Sequence, residues 1–387
     1  MPRSKPSSNT LSTSSATLHF GLPAEWDPHA ATWLAWPHNH ADWPGKFDPI
    51  PWVYTEIIRN LARHERVELI VSDAPTERKA RKLLDRSNAP LRNVRFHRWP
   101  TNRVWLRDSG CIFVTQPLEQ KAREGHDFSR ADEKQNKTGA SAPEGRLQAA
   151  NFRFNAWAKY SNSRHDEKIG TLMATAAGVQ ESRPLSHNTR VVLEGGSIDV
   201  NGQGTLLTTE ECLLSKIQQR NPNMQRKDYE KIFADYLGAT HVIWLGKGIH
   251  GDDTHGHVDD LTRFVTRDTV ITMVEPNPKD VNHKPLSDNL RRLQAASDQD
   301  GKPLNIVELP MPGAVVFEQR RLPASYANFY IANGIVLVPV FNDPNDRIAL
   351  NTLAALFPTR EIVPIYSGDL VWGLGTMHCM TQQQPTP

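Results

Sequence analysis

Four short segments of this chain carry side chains able to do covalent or acid–base chemistry, and one of them lies only eight residues from the end. Cys379 sits in Gly373-Leu374-Gly375-Thr376-Met377-His378-Cys379-Met380-Thr381-Gln382-Gln383-Gln384-Pro385. Chain termini usually fray. Here a glycine-hinged turn delivers one thiol, and three glutamines follow whose amides can tie the backbone down. The segment reads either as a placed nucleophile or as a buried small hydrophobe, which is what most free cysteines are.

The other three segments supply acids and a base. Asn102-Arg103-Val104-Trp105-Leu106-Arg107-Asp108-Ser109-Gly110 turns at a glycine just before an apolar run, which puts Asp108 at a strand end, free for a site or paired with the adjacent Arg107. Glu194 is embedded in Val191-Val192-Leu193-Glu194-Gly195-Gly196-Ser197-Ile198, a stretch apolar enough to be interior, and two glycines after it let a ligand or another backbone come close. A buried glutamate requires a partner, either a charged ligand or a hydrogen-bonded histidine. Gly251-Asp252-Asp253-Thr254-His255-Gly256-His257-Val258-Asp259-Asp260 is the densest cluster of ionisable groups, and in an extended strand His257 and Asp259 face the same way.

Three kinds of chemistry compete for these residues. Thr254-His255-Gly256-His257-Val258-Asp259 resembles the metal-binding Thr-His-x-His-x-Asp-His signature of the metallo-β-lactamase fold, and a His-x-His pair can bind zinc. The final histidine of that signature is replaced by Asp260, and only His283 and His378 follow downstream. The second reading uses all four segments on a guanidinium. That cation stays charged at any working pH and presents a planar fork of N–H donors, so binding it away from water requires carboxylates in bidentate geometry, with Asp108 and Asp259 as the pair. A bound cation beside a thiol also lowers the thiol pKa from about 8.5 toward the working range. The third reading is a protein that sequesters a cationic guanidino ligand without turnover.

The rest of the sequence defines what must position these groups. The chain has 387 residues, with 45 basic against 43 acidic, and its net charge of +2 comes without a dense basic run. A polyanion partner such as nucleic acid is therefore not expected, and Trp26, Trp33, Trp36 and Trp105 read as core packing instead of a base-stacking platform. Three cysteines, Cys111, Cys212 and Cys379, show no short paired spacing, which argues against a disulfide framework or thiolate zinc site and for a reducing, cytoplasmic setting. No apolar run approaches the roughly 20 residues a membrane helix needs; the longest covers residues 335–341. Residues 1–18 read as a disordered tail rich in Ser, Thr and Pro, residues 19–387 as one domain, and the polar stretch at about 118–146 as a flexible insertion.

Apolar β-branched runs alternate with amphipathic stretches, which argues for an α/β fold. The grouping is more specific: hairpin, helix, strand. Strand candidates at 197–200 and 205–209 flank Asn201-Gly202-Gln203-Gly204, then come a helix near 227–237 and a strand at 241–245. The order recurs at 262–265, 270–274, 287–296 and 305–309, and again at 329–331, 335–340, 346–357 and 361–366. Weaker copies lie at 32–36, 52–63 and 67–71, and at 111–115 with a helix near 166–177. Such repetition predicts radially arranged ββαβ units around an axis, ahead of a doubly wound sheet.

Taken jointly, Trp105-Leu106-Arg107-Asp108-Ser109-Gly110, Glu194-Gly195-Gly196-Ser197-Ile198, Asp253-Thr254-His255-Gly256-His257-Val258-Asp259 and His378-Cys379-Met380-Thr381-Gln382-Gln383-Gln384-Pro385 resemble the four signatures of the agmatine deiminase family, which also includes bacterial peptidylarginine deiminases. Pro23-Ala24-Glu25-Trp26-Asp27 and Ala324-Ser325-Tyr326-Ala327-Asn328-Phe329-Tyr330 match as well, so the likeness covers residues 22–385 apart from the insertion. The resemblance implies a five-bladed α/β-propeller and the hydrolysis of agmatine to N-carbamoylputrescine and ammonia, a step toward putrescine and other polyamines. It also implies a Cys379 nucleophile, His257 as proton donor and acceptor, Asp108 and Asp259 on the guanidinium, and Glu194 orienting substrate or His257. No metal or cofactor is implied, and homodimers or larger assemblies are.

Departures from the family pattern are His255 and Asp260, where Asn is usual, Cys111, where Pro is usual, and Leu374, Thr376 and Met377 in the approach to the thiol. They leave the far end of the substrate open. Agmatine carries a second positive charge, for which Asp253 is the candidate, with Trp105 and Gly375 as further substrate-binding positions; free or peptidyl arginine would instead need a carboxylate or backbone contact.

Overall fold

The structure is a computed structural model that describes residues 20–116 and 146–387. The expected tail over 1–18 and nearly all of the expected insertion lie outside the described residues.

The apolar runs form strands and the amphipathic stretches form helices, with helix ends fixed by local chemistry. Arg226–Leu237 opens on a capping box in which the Gln225 and Asp228 side chains satisfy each other's backbone N–H groups, and it closes at Gly238, where φ is +66°. Ala74–Arg86 starts where the Asp73 side chain accepts from Thr76 N at 2.8 Å. The strand Ile335–Val340 is buried through its first five residues, the burial expected of a strand covered on both faces.

Among the described residues five sheets share one plan: an antiparallel pair of strands, then a third strand parallel to the second. They are Ile112–Thr115 with Leu147–Ala150 and Gln180–Ser182; Asp199–Val200 with Thr205–Thr209 and His241–Leu245; Thr262–Phe264 with Thr269–Val274 and Asn305–Pro310; and Tyr330–Ala332 with Ile335–Val340 and Glu361–Tyr366. The remaining sheet takes its antiparallel pair from opposite ends of the chain. Gln382–Pro385 pairs with His29–Ala35, which runs parallel to Arg66–Val71, and a fourth strand, Val94–Arg98, extends the edge. The glutamines that follow the thiol are thus a strand, and its ladder of backbone hydrogen bonds fixes the C-terminal segment.

Each sheet is entered through a short helical turn: Leu106–Ser109, Gly195–Ser197, Val258–Asp260, Tyr326–Asn328 and Met377–Met380. These turns touch one another in a closed cycle, in that order and back to the first. Four of the five carry or adjoin the acid, base and thiol singled out above. Hydrophobic packing surrounds this polar centre, with Trp33, Tyr54, Phe113, Phe264 and Phe329 among the fully buried side chains. Among the described residues no helix is long and apolar enough to cross a membrane.

Candidate active site

The cycle of turns brings Asp108, Glu194, His257, Asp259 and Cys379 together although they span more than two-thirds of the chain. All five are buried, and Cys379, 6 % exposed, lines a cavity of about 300 Å³ with Asp108, Trp105, Trp157, Asp253 and Leu374. The sulfur accepts a hydrogen bond from Asn328 Nδ2 at 3.1 Å and lies 3.6 Å from Asp259 Oδ2.

Asp259 presents one oxygen and anchors with the other. Its Oδ2 accepts from His378 Nδ1 at 2.7 Å, and the far nitrogen of that ring meets Glu25 Oε2 at 2.9 Å. Oδ1 is buried without any partner. Burial disfavours charge on this carboxylate, but the bonded His378 outweighs it and holds Asp259 below its usual range. Asp260 next door goes the other way: burial and the charge on Asp259 push it well above the carboxylate range. One negative charge therefore stands at this pair.

Asp108 is oriented by donors to both oxygens, Gly196 N to Oδ1 at 3.0 Å and Trp157 Nε1 to Oδ2 at 2.8 Å. Arg107 does not pair with it; that guanidinium instead reaches Gln383 at 2.6 Å and Glu25 at 3.2 Å. Burial pushes the Asp108 carboxyl up to about 6, opposed by His257 and reinforced by Glu194 and Asp259. Trp157 reaches Asp108 from a run of three residues at positive φ, 51°, 58° and 52° for Ala156, Trp157 and Ala158. Left-handed backbone at non-glycine residues is strained, and here it aims one indole N–H at the carboxylate.

Glu194 and Arg220 form a fully buried ion pair, with Arg220 Nε 3.1 and 3.3 Å from the two carboxylate oxygens. Arg220 is itself fixed by the carbonyls of Gln218 and Thr254. Despite burial, Arg220 and His257 hold Glu194 down to about 2. The partner of the buried glutamate is thus an arginine of the chain itself, neither the charged ligand nor the hydrogen-bonded histidine expected from its sequence context.

His257 lies between the acids, Nδ1 3.8 Å from Asp108 Oδ1 and Nε2 3.7 Å from Glu194 Oε2. Neither distance is a hydrogen bond, and both ring nitrogens are buried without a partner. Burial works against a charged ring, but Asp108, Cys212 and Glu194 overcome it and raise the imidazole well above its ordinary value. The thiol moves the same way: burial and the charges of Asp259, Asp260 and Asp108 push Cys379 well above the usual thiol range. The surrounding acids thus favour the proton on both the imidazole and the thiol.

Two glycines keep this centre open. A Cβ on Gly196 would meet His257 Nδ1 at 2.6 Å, Asp108 Oδ1 at 3.0 Å and Asp259 Oδ2 at 3.1 Å. One on Gly375 would meet Trp105 Cζ3 and Cys379 Cβ, each at 2.9 Å. Gly375 is thus where the approach loop crosses the indole and the nucleophile. Trp105 lines the cavity wall, and Asp253 lines it too, with its carboxylate engaged by Lys159 and, at 2.6 Å, by Tyr160 Oη.

His255 turns away from His257. At φ +66° its ring meets Ser215 Oγ at 3.1 Å and lines a different surface cavity. Among the described residues His255, His257 and Asp259 form no converging donor set; the donor sets that do converge are Glu194, Cys212 and His257, and Asp259, Asp260 and Cys379. In the first of these Glu194 is already saturated by Arg220. Cys111 is buried, and burial pushes its thiol up.

Asn328, Trp157 and Arg220 have no reading as site residues from sequence, and His378 only that of a flank to the nucleophile segment with no proton-transfer role. Asn328 lay inside the Ala324-Ser325-Tyr326-Ala327-Asn328-Phe329-Tyr330 match, and His378 beside the nucleophile, so position was the available signal for those two. Trp157 and Arg220 had none.

A thiol and a carboxylate on the cavity wall, Cys379 and Asp108, with the raised imidazole of His257 and the carboxylate of Asp259 clustered beside them, suit a cationic, planar electrophile. Comparison with known proteins places the chain accordingly: the family model described as Porphyromonas-type peptidyl-arginine deiminase matches residues 21–385, and the chain belongs to that family. It is 31 % identical over 401 residues to a curated agmatine deiminase of Ectopseudomonas mendocina (strain ymp), covering 98 % of this chain and 99 % of that one. The solved agmatine deiminase of Enterococcus faecalis superposes with a TM-score of 0.81 at 27 % identity, over 95 % of this chain and 96 % of the other. The putative arginine deiminase from Porphyromonas gingivalis gives 0.78 at 33 % identity, over 95 % and 98 %. The mixed α/β fold is similar to that of these enzymes.

Proposed function

We propose that this chain is a cysteine-dependent deiminase that hydrolyses the guanidinium of a small guanidino compound, with agmatine converted to N-carbamoylputrescine and ammonia as the leading reaction. One observation carries the reading. Asp259 Oδ1, in the cluster around Cys379, is buried and among the described residues has no hydrogen-bond partner. Buried polar groups are almost always hydrogen-bonded, and a guanidinium supplies the missing donor while its carbon faces the sulfur.

Asp108 and Asp259 hold the nitrogens of the planar cation. Its positive charge offsets the field that keeps Cys379 protonated, so the thiol ionises as substrate enters and its proton passes to solvent. The sulfur attacks the central carbon and a C–S bond forms. His257, held charged by Asp108 and Glu194, gives its proton to the departing nitrogen, and the C–N bond breaks with loss of ammonia. An amidino-cysteine remains. His257 then takes one proton from water, whose oxygen bonds to the carbon, and the C–S bond breaks as the second proton passes to the sulfur, which releases the urea product and restores the thiol.

The five repeated sheets and the closed cycle of turns support a five-bladed α/β-propeller whose axis passes through the site, the first blade closed by the C-terminal strand. A second reading, deimination of free or peptidyl arginine, is favoured by Arg103 and Arg320, which line the same cavity and suit a carboxylate. Ammonia release from agmatine, arginine, peptidyl-arginine and methylated arginines decides between them. No turnover of any of them would refute the deiminase reading.

A further inference from the structure

The cavity that ends at Cys379 contains a second acidic feature, away from the guanidinium. Asp42 lies at the end of the short turn His40–Asp42 and lines the same cavity as Cys379 and Asp108. Its Oδ1 accepts from Asn39 Nδ2 at 3.1 Å, while Oδ2 is buried with no hydrogen-bond partner. The turn is held from behind by Trp43, which is fully buried and donates to Leu370 O at 2.9 Å.

Asp42 is not an isolated anomaly. Tyr54 is fully buried, its hydroxyl has no partner, and the charges of Asp42 and Cys379 both reach it. Asp166, 1 % exposed, also has an oxygen without a partner and feels the charge of Asp42. Burial pushes the carboxyls of Asp42 and Asp166 up to about 7 and about 6. Of these three partnerless oxygens among the described residues, only Asp42 Oδ2 belongs to a residue that lines the cavity with Cys379. Among the cations nearby, Arg103 is engaged by Asn162, at 3.0 Å to its carbonyl and 2.8 Å to its side chain; its charge reaches Asp42 and opposes the effect of burial, but the two make no ion pair. The other acids of the cavity are committed, Asp253 to Lys159 and Tyr160, and Asp108 to the guanidinium end.

We propose that Asp42 is the specificity residue for the far end of the substrate, its carboxylate accepting the terminal ammonium of a guanidinoalkylamine while Asp108 and Asp259 hold the guanidinium. An ammonium brings three donors and no acceptor, the complement of partnerless oxygens. The assignment rests on the deiminase reading and replaces Asp253 as the candidate for the second charge.

The test separates binding from turnover. Calorimetry on the Cys379→Ser enzyme compares agmatine with pentylguanidine, in which a methyl group replaces the ammonium. Agmatine is expected to bind about 10- to 100-fold tighter, the range for a charge-assisted hydrogen bond. Adding Asp42→Asn should abolish that preference and leave pentylguanidine affinity unchanged, which also shows that the variant is folded. Equal binding of the two compounds before Asp42 is altered, or a preference that survives Asp42→Asn, overturns the assignment. Ammonia release by the unaltered enzyme from both compounds is measured in parallel. Its absence sinks agmatine as the leading substrate, while the binding comparison still judges Asp42.

Discussion

Asn328 grips Cys379 from two sides: its Nδ2 donates to the sulfur at 3.1 Å, and its Oδ1 accepts from the Cys379 backbone N–H at 3.4 Å. The same oxygen accepts from Thr376 Oγ1 at 2.8 Å and from His378 N at 3.1 Å, so one amide sets the loop that presents the thiol. Because an N–H donor favours the thiolate, Asn328→Ala should lower kcat by about 10- to 100-fold, more than it changes KM. The Tm should also fall, since several buried groups lose partners at about 1–3 kcal/mol each. Steady-state kinetics and a melting curve check both.

Cys379→Ser should reduce turnover by at least about 1,000-fold while substrate binding persists. Acid-quenched samples of the unaltered enzyme should show the mass of an amidino group on Cys379. Rapid turnover with no adduct at any quench time would exclude the covalent route.

The pH profile follows from the field in the site. Asp108 must be ionised to hold a guanidinium, and its carboxyl is pushed up to about 6, so kcat/KM should fall as pH drops through about 6. Its contribution to stability has the opposite sense. Between the ordinary value of 3.8 and about 6 the folded state binds more protons than the unfolded chain, so this contribution is lost as pH rises across that window. On the alkaline side His257 must stay protonated, and Glu194 helps to keep it so. In Glu194→Gln the alkaline limb should move to lower pH. An unmoved limb would remove His257 from the proton transfer.

Gly196→Ala tests whether the space beside His257 is where substrate binds. The added methyl would meet three site groups at 2.6 to 3.1 Å, two of which, Asp108 and Asp259, are held by hydrogen bonds from Trp157 and His378. Turnover should drop by at least about 100-fold, because misplacement of this size costs that much in an organised site. Near-normal kinetics would place the guanidinium elsewhere.

His255→Asn distinguishes the cysteine route from a metal site. His255 sits at φ +66° and faces Ser215. Asparagine tolerates that conformation better, so stability should hold or rise by up to about 1 kcal/mol with activity retained. Loss of activity restored by zinc would instead support the His-x-His reading.

The repeated hairpin, helix and strand were legible because each depends on neighbours in sequence. The strands at 241–245, 335–340 and 361–366 fall where apolar β-branched runs ended at turns. The C-terminal strand was not legible as one. Gln382–Pro385 is polar and becomes a strand only because His29–Ala35, about 350 residues earlier, offers its edge. The helix Ala74–Arg86 and strand Val94–Arg98 extend the first sheet beyond the repeated pattern, and the repeat gave no reason to expect them.

By itself the sequence determined the kind of chemistry: one thiol near the chain end, two acids and a His-x-Asp pair have few uses other than a flat cation. Tertiary structure decided which groups are charged and which are held. Burial and acids far away in the chain push Cys379 up, whereas Arg220 and His257 hold Glu194 down to about 2 against its burial. Trp157, Arg220, Asn328 and Asp42 became visible only when the turns closed on one another. Hydrophobic periodicity is a local property of a chain, whereas a pKa or a missing hydrogen-bond partner depends on distances between segments, and folding sets those distances.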